Sequence, residues 1–198
     1  MIIVQRKFAI IGHKAPSNGD LFLNDLPGLS GRMDVLARAI NATLFLSHGI
    51  RRDSQIIVHL TGGDKPPRRV MFDGSELGGV RPDERSISGH IKSIIKTKLP
   101  PVGIWKNVSS GIYQSGGGIE ITLKEWEEEN VSIYVLDKNG SNLQMKKHEK
   151  IGFLLSDDVP FTSEEYNVIS KYKKISLGEK WLQGQSCITI IHHLIDSS

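Results

Sequence analysis

The sequence has little cysteine and no long apolar run. Cys187 is the single cysteine among 198 residues, which excludes a disulfide within the chain and fits a reducing compartment. No apolar stretch approaches the roughly 18 residues that a membrane span needs. The first residues are interrupted by Arg6 and Lys7 and carry no small-residue cleavage site, so we expect no secretory signal. These absences predict a folded, cytoplasmic protein without a membrane partner.

Several motifs that would identify an enzyme class are also missing. The sequence contains no G-x-x-x-x-G-K-[ST] phosphate loop, no dinucleotide fingerprint, no C-x-x-C, no H-E-x-x-H and no G-x-S-x-G elbow. His192 and His193 are adjacent, so on a helix they would point about 100° apart and would share a metal ion poorly. We therefore expect no metal site.

The charges are distributed unevenly along the chain. Residues 1–100 hold 15 Lys+Arg against 9 Asp+Glu, whereas residues 101–198 hold 10 against 13, and all arginines lie in the first half. The planar guanidinium group suits phosphate oxygens and stacks on bases. The first half is therefore a candidate surface for a polyanion such as RNA, although a solvated surface with chance clustering is the plainer alternative.

The apolar pattern alternates between strand and helix spacing, which predicts an α/β layer fold. Strands are predicted at residues 2–12, 56–60, 69–73, 131–136, 151–155 and 173–177, and helices at 32–44, 87–99, 122–130 and after a capping box formed by Thr162 and Glu165. Residues 187–195 are apolar on one face but rich in β-branched side chains, so helix and strand both remain open. Two prolines and five glycines indicate a long mobile connection over residues 100–118.

Five stretches, taken together and in this order, resemble one family. They are LSHGIR (46–51), GSEL (74–77), RPDERS (81–86), SLG (176–178) and CITIIHHLID (187–196). They look like the motifs of the archaeal tRNA pseudouridine N1-methyltransferases, which methylate pseudouridine at position 54 of the tRNA T-loop. The Gly-His at 12–13 and the Gly-Arg at 31–32 also agree, so the resemblance spans nearly the whole chain.

The resemblance implies a fold, a cofactor and an assembly. The family is similar to the SPOUT methyltransferases, which implies a mainly parallel α/β sheet with helices on both faces, a C-terminal deep trefoil knot, S-adenosylmethionine as the cofactor and a homodimer. Residues 1–198 would then form one SPOUT domain, with 1–120 as the basic, RNA-facing part and 131–198 as the knotted, cofactor-binding part. The cofactor-binding residues implied in this way are Leu136, Ser156, Leu177, Gly178, Leu182 and Cys187. Ser156 stands where the family pattern has glycine.

The reaction itself sets the requirements for the catalytic residues. N1 of pseudouridine carries a proton and is a poor nucleophile until a carboxylate or an oriented water removes it. Asp64, which follows a predicted strand end, is slightly favoured as the base or base-orienting group over Asp83, although Asp64 could simply form a turn and Asp83 a helix start. Arg81 is the third catalytic candidate, because it would hold a phosphate or the target base. The predicted RNA-binding residues are Arg51, Arg52, Arg68, Arg69 and Arg85.

Two other functions remain open. A SPOUT methyltransferase acting on ribosomal RNA would keep the knot and the basic half of the chain. A non-catalytic RNA-binding dimer would keep the arginines but would not need the cofactor loops. Binding of S-adenosylmethionine separates this second alternative from the enzymes.

Overall fold

The computed structural model describes residues 6–143 and 150–197, whose centre is an eight-stranded sheet. The strands are β1 (Arg6–Pro16), β2 (Phe45–Leu46), β3 (Gly49–Ile50), β4 (Ser54–Gly62), β5 (Arg68–Asp73), β6 (Lys106–Ser109), β7 (Ile112–Gly116), β8 (Ser132–Asn142), β9 (Ile151–Ser156) and β10 (Lys173–Ser176). The helices are α1 (Met33–Leu44), α2 (Glu84–Ile95), α3 (Ile119–Glu128), α4 (Ser163–Ile169) and α5 (Gly184–Asp196). Residues 2–5 of the first predicted strand lie outside the described residues.

The sheet is parallel in its larger part and antiparallel at one side. Its strand order is β10-β8-β9-β1-β4-β5-β7-β6, and the pairings from β10 to β4 are parallel. The pairings from β4 to β6 are antiparallel. The mainly parallel α/β fold class predicted from the sequence is confirmed. The carboxyl ends of β1, β4, β8, β9 and β10 therefore meet at one edge, where open α/β sheets usually bind ligands.

Helices cover both faces of the sheet. Alternate residues of β1 point to opposite faces, so that Phe8 and Ile10 join one core while Ala9 and Ile11 join the other. The first core also contains the apolar sides of α1, α2 and α5, and the second those of α3 and α4. Strands buried on both faces read as continuous apolar runs, which explains the lack of alternation in the sequence of β1.

Three predicted elements are resolved or corrected by the structure. Residues 187–195 are helical within α5, and the helix predicted to reach residue 99 ends at Ile95. The prediction of a long mobile connection over residues 100–118 is wrong, because this segment contains the antiparallel strands β6 and β7. Its glycines serve close packing: Gly111 has a φ of 71°, and a Cβ there would lie 2.4 Å from the Leu77 nitrogen.

Arg68 does not belong to an RNA-binding surface, which corrects the prediction from the sequence. The side chain is 1% exposed. Its guanidinium group donates to the carbonyl oxygens of Ser17 at 2.8 Å, Ile94 at 2.9 Å and Thr97 at 2.8 Å. Two of these carbonyls lie at the carboxyl end of α2, where the Thr97 N–H also donates to the Ile94 carbonyl, so Arg68 adds donors from the sheet to that helix end.

Arg69 is likewise buried, and its assignment to the RNA-binding surface is also wrong. Its guanidinium group donates to both carboxylate oxygens of Glu125, at 2.8 and 2.9 Å, and to Thr122 Oγ1 at 3.0 Å. The ring of Trp105 stacks on the same guanidinium group, with its centroid 4.5 Å away. This bidentate pair joins β5 to α3, so Arg69 contributes to the core rather than to a binding surface.

We expect Arg69→Met to lower the free energy of unfolding by about 3 kcal/mol, because it leaves Glu125 without its cation in a largely enclosed position. Urea denaturation followed by circular dichroism measures this loss. The matched control is Arg85→Met, since Arg85 is exposed and its substitution should change stability by less than about 0.5 kcal/mol. An equally small effect of both substitutions would contradict a structural role for Arg69.

Candidate active site

A cavity of about 540 Å³ lies at the carboxyl ends of β9 and β10, beside β8. Most of its wall is formed by residues 136–138 of β8, residues 155–161 at and after the end of β9, and residues 177–185 between β10 and the start of α5, and α1 closes one side with Val35 and Arg38. All six residues that the sequence predicted for the cofactor line this one cavity: Leu136, Ser156, Leu177, Gly178, Leu182 and Cys187. Residues more than 50 positions apart in the chain therefore converge on one concave surface.

Two small residues shape the backbone of the cavity. Gly178 has a φ of 126°, and a Cβ built on it would have no protein atom within 4 Å, so this stretch of backbone is open to close approach from the cavity. Ser156 does not adopt a positive φ, and its hydroxyl group donates to the Val159 carbonyl. Serine thus fits the backbone at this position without strain.

The loop after β9 contacts His13, which lies in the last part of β1. The His13 ring contacts Asp157 Oδ1 through Nδ1 at 2.8 Å and Glu165 Oε2 through Nε2 at 3.0 Å. The hydrogen bond with Asp157 and the second one with Glu165 outweigh the effect of burial and raise the pKa of His13 to about 9. His13 is therefore a cation near neutral pH.

Charged and aromatic side chains surround the opening of the cavity. Trp181 is 70% exposed, and the Lys138 ammonium lies 5.6 Å from its ring centroid. Burial alone would raise the pKa of Asp137, but a backbone hydrogen bond from Asn139 and the ammonium of Lys174, 3.1 Å away, hold that pKa below its usual range. The opening thus combines an ionised carboxylate with cationic and apolar groups.

Cys187 lies in the wall of the cavity as a protonated thiol. Burial raises the pKa of this thiol, and its Sγ lies 3.8 Å from the Leu182 carbonyl oxygen. A thiol with a raised pKa is a poor nucleophile, so Cys187 is suited to packing at the start of α5 and not to forming a covalent intermediate.

A second, more open groove of about 880 Å³ adjoins the cavity. It lies between α1, α5 and the start of α2, and it shares Arg38 and Gln185 with the first cavity. Two predicted site residues, Asp83 and Arg51, line the groove. The first cavity and the groove together could hold two reactants side by side.

The structure separates the two predicted base candidates. Asp83 is the N-cap of α2, where its carboxylate accepts from the Ser86 N–H at 2.7 Å. Asp64 is exposed in the turn after β4 and lines neither the cavity nor the groove. Arg81 is exposed just before α2, and its backbone N–H donates to Ser86 Oγ at 3.2 Å.

The remaining predicted RNA-binding arginines differ in how free their side chains are. Arg51 is paired with Asp196, with its Nη2 2.7 Å from the carboxylate. The guanidinium group of exposed Arg52 donates to the carbonyl oxygens of Gly74 and Leu77 at 2.8 and 3.1 Å. Exposed Arg85 donates to Asn24 Oδ1 at 2.7 Å. Unlike Arg68 and Arg69, these side chains reach the groove or the surface.

Sequence reasoning missed three residues of this region: His13, Arg32 and Arg38. Arg32 lines the cavity and pairs with Asp158 at 3.2 Å, and Arg38 separates the cavity from the groove. The Gly-His and Gly-Arg dipeptides at 12–13 and 31–32 were visible in the sequence, but neither dipeptide shows which carboxylate its side chain contacts.

Within the described residues, no cluster of three or more His, Cys, Asp or Glu side chains could hold a metal ion. Among residues 6–143 and 150–197, no helix is long and apolar enough to cross a membrane.

Comparison with known proteins shows which family the chain is similar to. The profile of a family described as SAM-dependent RNA methyltransferase matches residues 5–198. The chain is 36% identical over 196 residues to a tRNA (pseudouridine(54)-N(1))-methyltransferase of Methanococcus maripaludis, with 96% of this chain and 98% of the relative covered. It is 38% identical over 194 residues to the enzyme of the same name from Methanocorpusculum labreanum, with 96% of each covered.

A solved structure supports the fold independently. The crystal structure of Archaeoglobus fulgidus Nep1 bound to S-adenosylhomocysteine superposes with a TM-score of 0.67. The match covers 98% of this chain and 97% of the other at 11% sequence identity, so it concerns the fold alone. On the family profile and the two relatives, the chain belongs to the SAM-dependent RNA methyltransferases and, among them, to the tRNA (pseudouridine(54)-N(1))-methyltransferase family.

Proposed function

We propose that this protein transfers a methyl group from S-adenosylmethionine to N1 of pseudouridine at position 54 in the T-loop of tRNA, giving N1-methylpseudouridine. The observation that carries the proposal is the convergence of the six expected cofactor residues on one cavity beside a second groove. The full-length similarity to enzymes named for this reaction supports the same substrate.

The cavity suits the cofactor in size and chemistry. A volume of about 540 Å³ falls within the range of small-molecule sites. Leu136, Leu155 and Leu177 offer apolar walls to an adenine ring, and the open backbone at Gly178 allows a ligand to approach closely. S-adenosylmethionine supplies the electrophilic methyl group of a sulfonium. The protein residues have to hold the target nitrogen in line with that methyl group and to exclude water.

We assign the target base to the groove and the proton transfer to Asp83. Asp83 lines the groove, and the Ser86 N–H binds one of its two carboxylate oxygens, Oδ1. Its carboxylate can accept the N1 proton directly or through one water. Asp64 is the less favoured base because it lies outside both the cavity and the groove. Exposed Arg81 and Arg85 flank the same helix start and would bind phosphates, while the base is turned out of the T-loop.

The finer features implied by the family belong to the same proposal. A C-terminal trefoil knot would explain why the cavity segments at 136–138, 155–161 and 177–185 pack together with α5. It would also explain why α5, which follows β10, lies against α1. A homodimer would cover Leu46, which is 49% exposed at the edge of the groove. The basic part at 1–120 would face RNA, the part at 131–198 would bind the cofactor, and an enzyme of tRNA would act in the cytoplasm.

We expect methylation of a T-loop transcript that carries pseudouridine at position 54 and none of the same transcript with uridine there. N1 of uridine is bonded to the ribose, so only the C-glycoside presents a free N1–H. Incorporation of radiolabel from S-adenosylmethionine measures the reaction. Label on a ribosomal RNA fragment but on neither T-loop transcript would contradict the tRNA assignment. A complete lack of S-adenosylmethionine binding would contradict the enzyme and favour an RNA-binding module.

We expect Asp83→Asn to lower kcat by roughly 10²- to 10³-fold, because the amide cannot accept the proton. Asparagine remains a good N-cap, so the start of α2 and the melting temperature should be preserved. Single-turnover rates with saturating cofactor test this. The matched control, Asp64→Asn, should keep the wild-type rate, and the opposite pattern would reassign the base to Asp64.

A further inference from the structure

One imidazole ring connects both ends of a cavity-lining segment to the sheet. The segment at 157–162 follows β9 and precedes α4, and its residues 157–161 line the cavity. At its start, Asp157 accepts from the backbone N–H of His13 and from the His13 ring, both at 2.8 Å. At its end, Glu165 Oε2 contacts the same ring at 3.0 Å while accepting from the Thr162 N–H at 2.7 Å.

The geometry requires both ring nitrogens of His13 to donate. An ionised carboxylate accepts hydrogen bonds only, and each ring nitrogen faces one carboxylate oxygen. A neutral imidazole has a single N–H and would direct a lone pair at the other carboxylate. The Asp157 side chain is 1% exposed, so water cannot replace the lost donor there.

Among the described residues, the two other cations near the segment face a different carboxylate. Lys14 lies on the same strand, but its ammonium faces Asp158 at 3.7 Å. Arg32, from the turn before α1, also pairs with Asp158, at 3.2 Å, and with Asp34. Asp157 and Glu165 also accept from the backbone N–H groups of Val159 and Thr162, but His13 is the cation that faces both carboxylates in the described part of the chain.

We propose that cationic His13 is a positioning residue that holds the segment at 157–162 in the shape of the cofactor cavity. The proposal rests on the proposed function, because it concerns binding of the same cofactor. β1 is the rigid support, since it is hydrogen-bonded on both sides and His13 follows directly on its buried part. Asp157 N–H also donates to the Ile11 carbonyl at 3.1 Å and Asp158 pairs with Arg32, so the start of the segment has further contacts with β1 and α1. The imidazolium adds the contact that joins this start to Glu165, at the first turn of α4.

The protonation of His13 makes this support dependent on pH. The pKa of His13 is raised from 6.5 to about 9 by the hydrogen bonds to Asp157 and Glu165. The stabilisation is therefore complete below pH 6.5 and is lost as the pH rises through about 9. The cavity should bind its cofactor well at neutral pH and progressively less well above pH 9.

The first test uses His13→Gln and S-adenosylhomocysteine as the probe, with binding measured by calorimetry from pH 6.5 to 10. If the segment keeps its binding shape for only about a tenth of the time, the dissociation constant rises about tenfold. We expect this rise at neutral pH, together with a higher KM for S-adenosylmethionine and an unchanged kcat at saturation. The amino group of the probe titrates alike in both proteins, so the difference between their pH curves reports His13. The matched control, His90→Gln in α2, should behave like wild type.

A second variant keeps the proposal testable if His13→Gln folds poorly. Glu165→Gln preserves the capping box with Thr162, since glutamine serves at that position, but it removes one of the two charges facing His13. We expect near wild-type affinity at pH 6.5 and a pH midpoint for loss of binding that lies below that of the wild type, because one of the two hydrogen-bonding carboxylates that raise the pKa of His13 is gone. The NMR titration of the His13 ring should move in parallel.

The outcomes distinguish the two proposals. Wild-type protein that binds no S-adenosylhomocysteine at any pH would overturn the cofactor site itself. If the wild-type protein binds S-adenosylhomocysteine and both His13→Gln and Glu165→Gln show the same affinity and the same pH curve as the wild type, the role of His13 alone is overturned.

Discussion

The structure depends on the pairing of β1 with β9 on one side and β4 on the other. This parallel pairing joins the two halves of the chain in one sheet, in register from Arg6 to Ile11. The carboxyl ends of strands that are far apart in sequence therefore lie at one edge of the sheet, and the loops that leave these ends lie next to one another. The cavity follows from this arrangement, because the segments that leave β9 and β10 enclose it together with residues 136–138 of β8.

The buried cations Arg69 and His13 each contact carboxylate partners supplied by another element of the fold. Arg69 is enclosed by Glu125 and Trp105, and cationic His13 lies between two carboxylates. In both cases a cation on the sheet fixes an element outside it: α3 for Arg69 and the loop before α4 for His13. The desolvation cost of these charges is offset only while both partners are present, so such pairs give definite positions more than they give net stability.

Periodic elements were predictable from the sequence, whereas the roles of its charged residues were not. α1, β4, β5 and β9 follow from apolar spacing, and the six residues expected to bind the cofactor, which line one cavity, could be named because long motifs resemble one family. Arg68 and Arg69 were misread because composition counts charges without their location, and β5 turns out to be a central strand. Residues 100–118 were misread because glycine signals both mobility and close backbone packing. Only the tertiary contacts of Gly111 distinguish the two.

Arg38 explains how the cavity and the groove can act together. It lies in the wall that separates them and pairs with Asp34 on its own helix. It also contacts Glu84 at 3.4 Å, and Glu84 is the residue directly after Asp83. The first turn of α2 is thereby tied to the helix that closes the cavity. A base in the groove and a methyl donor in the cavity would be positioned by one connected set of side chains, which is what an in-line transfer between them requires.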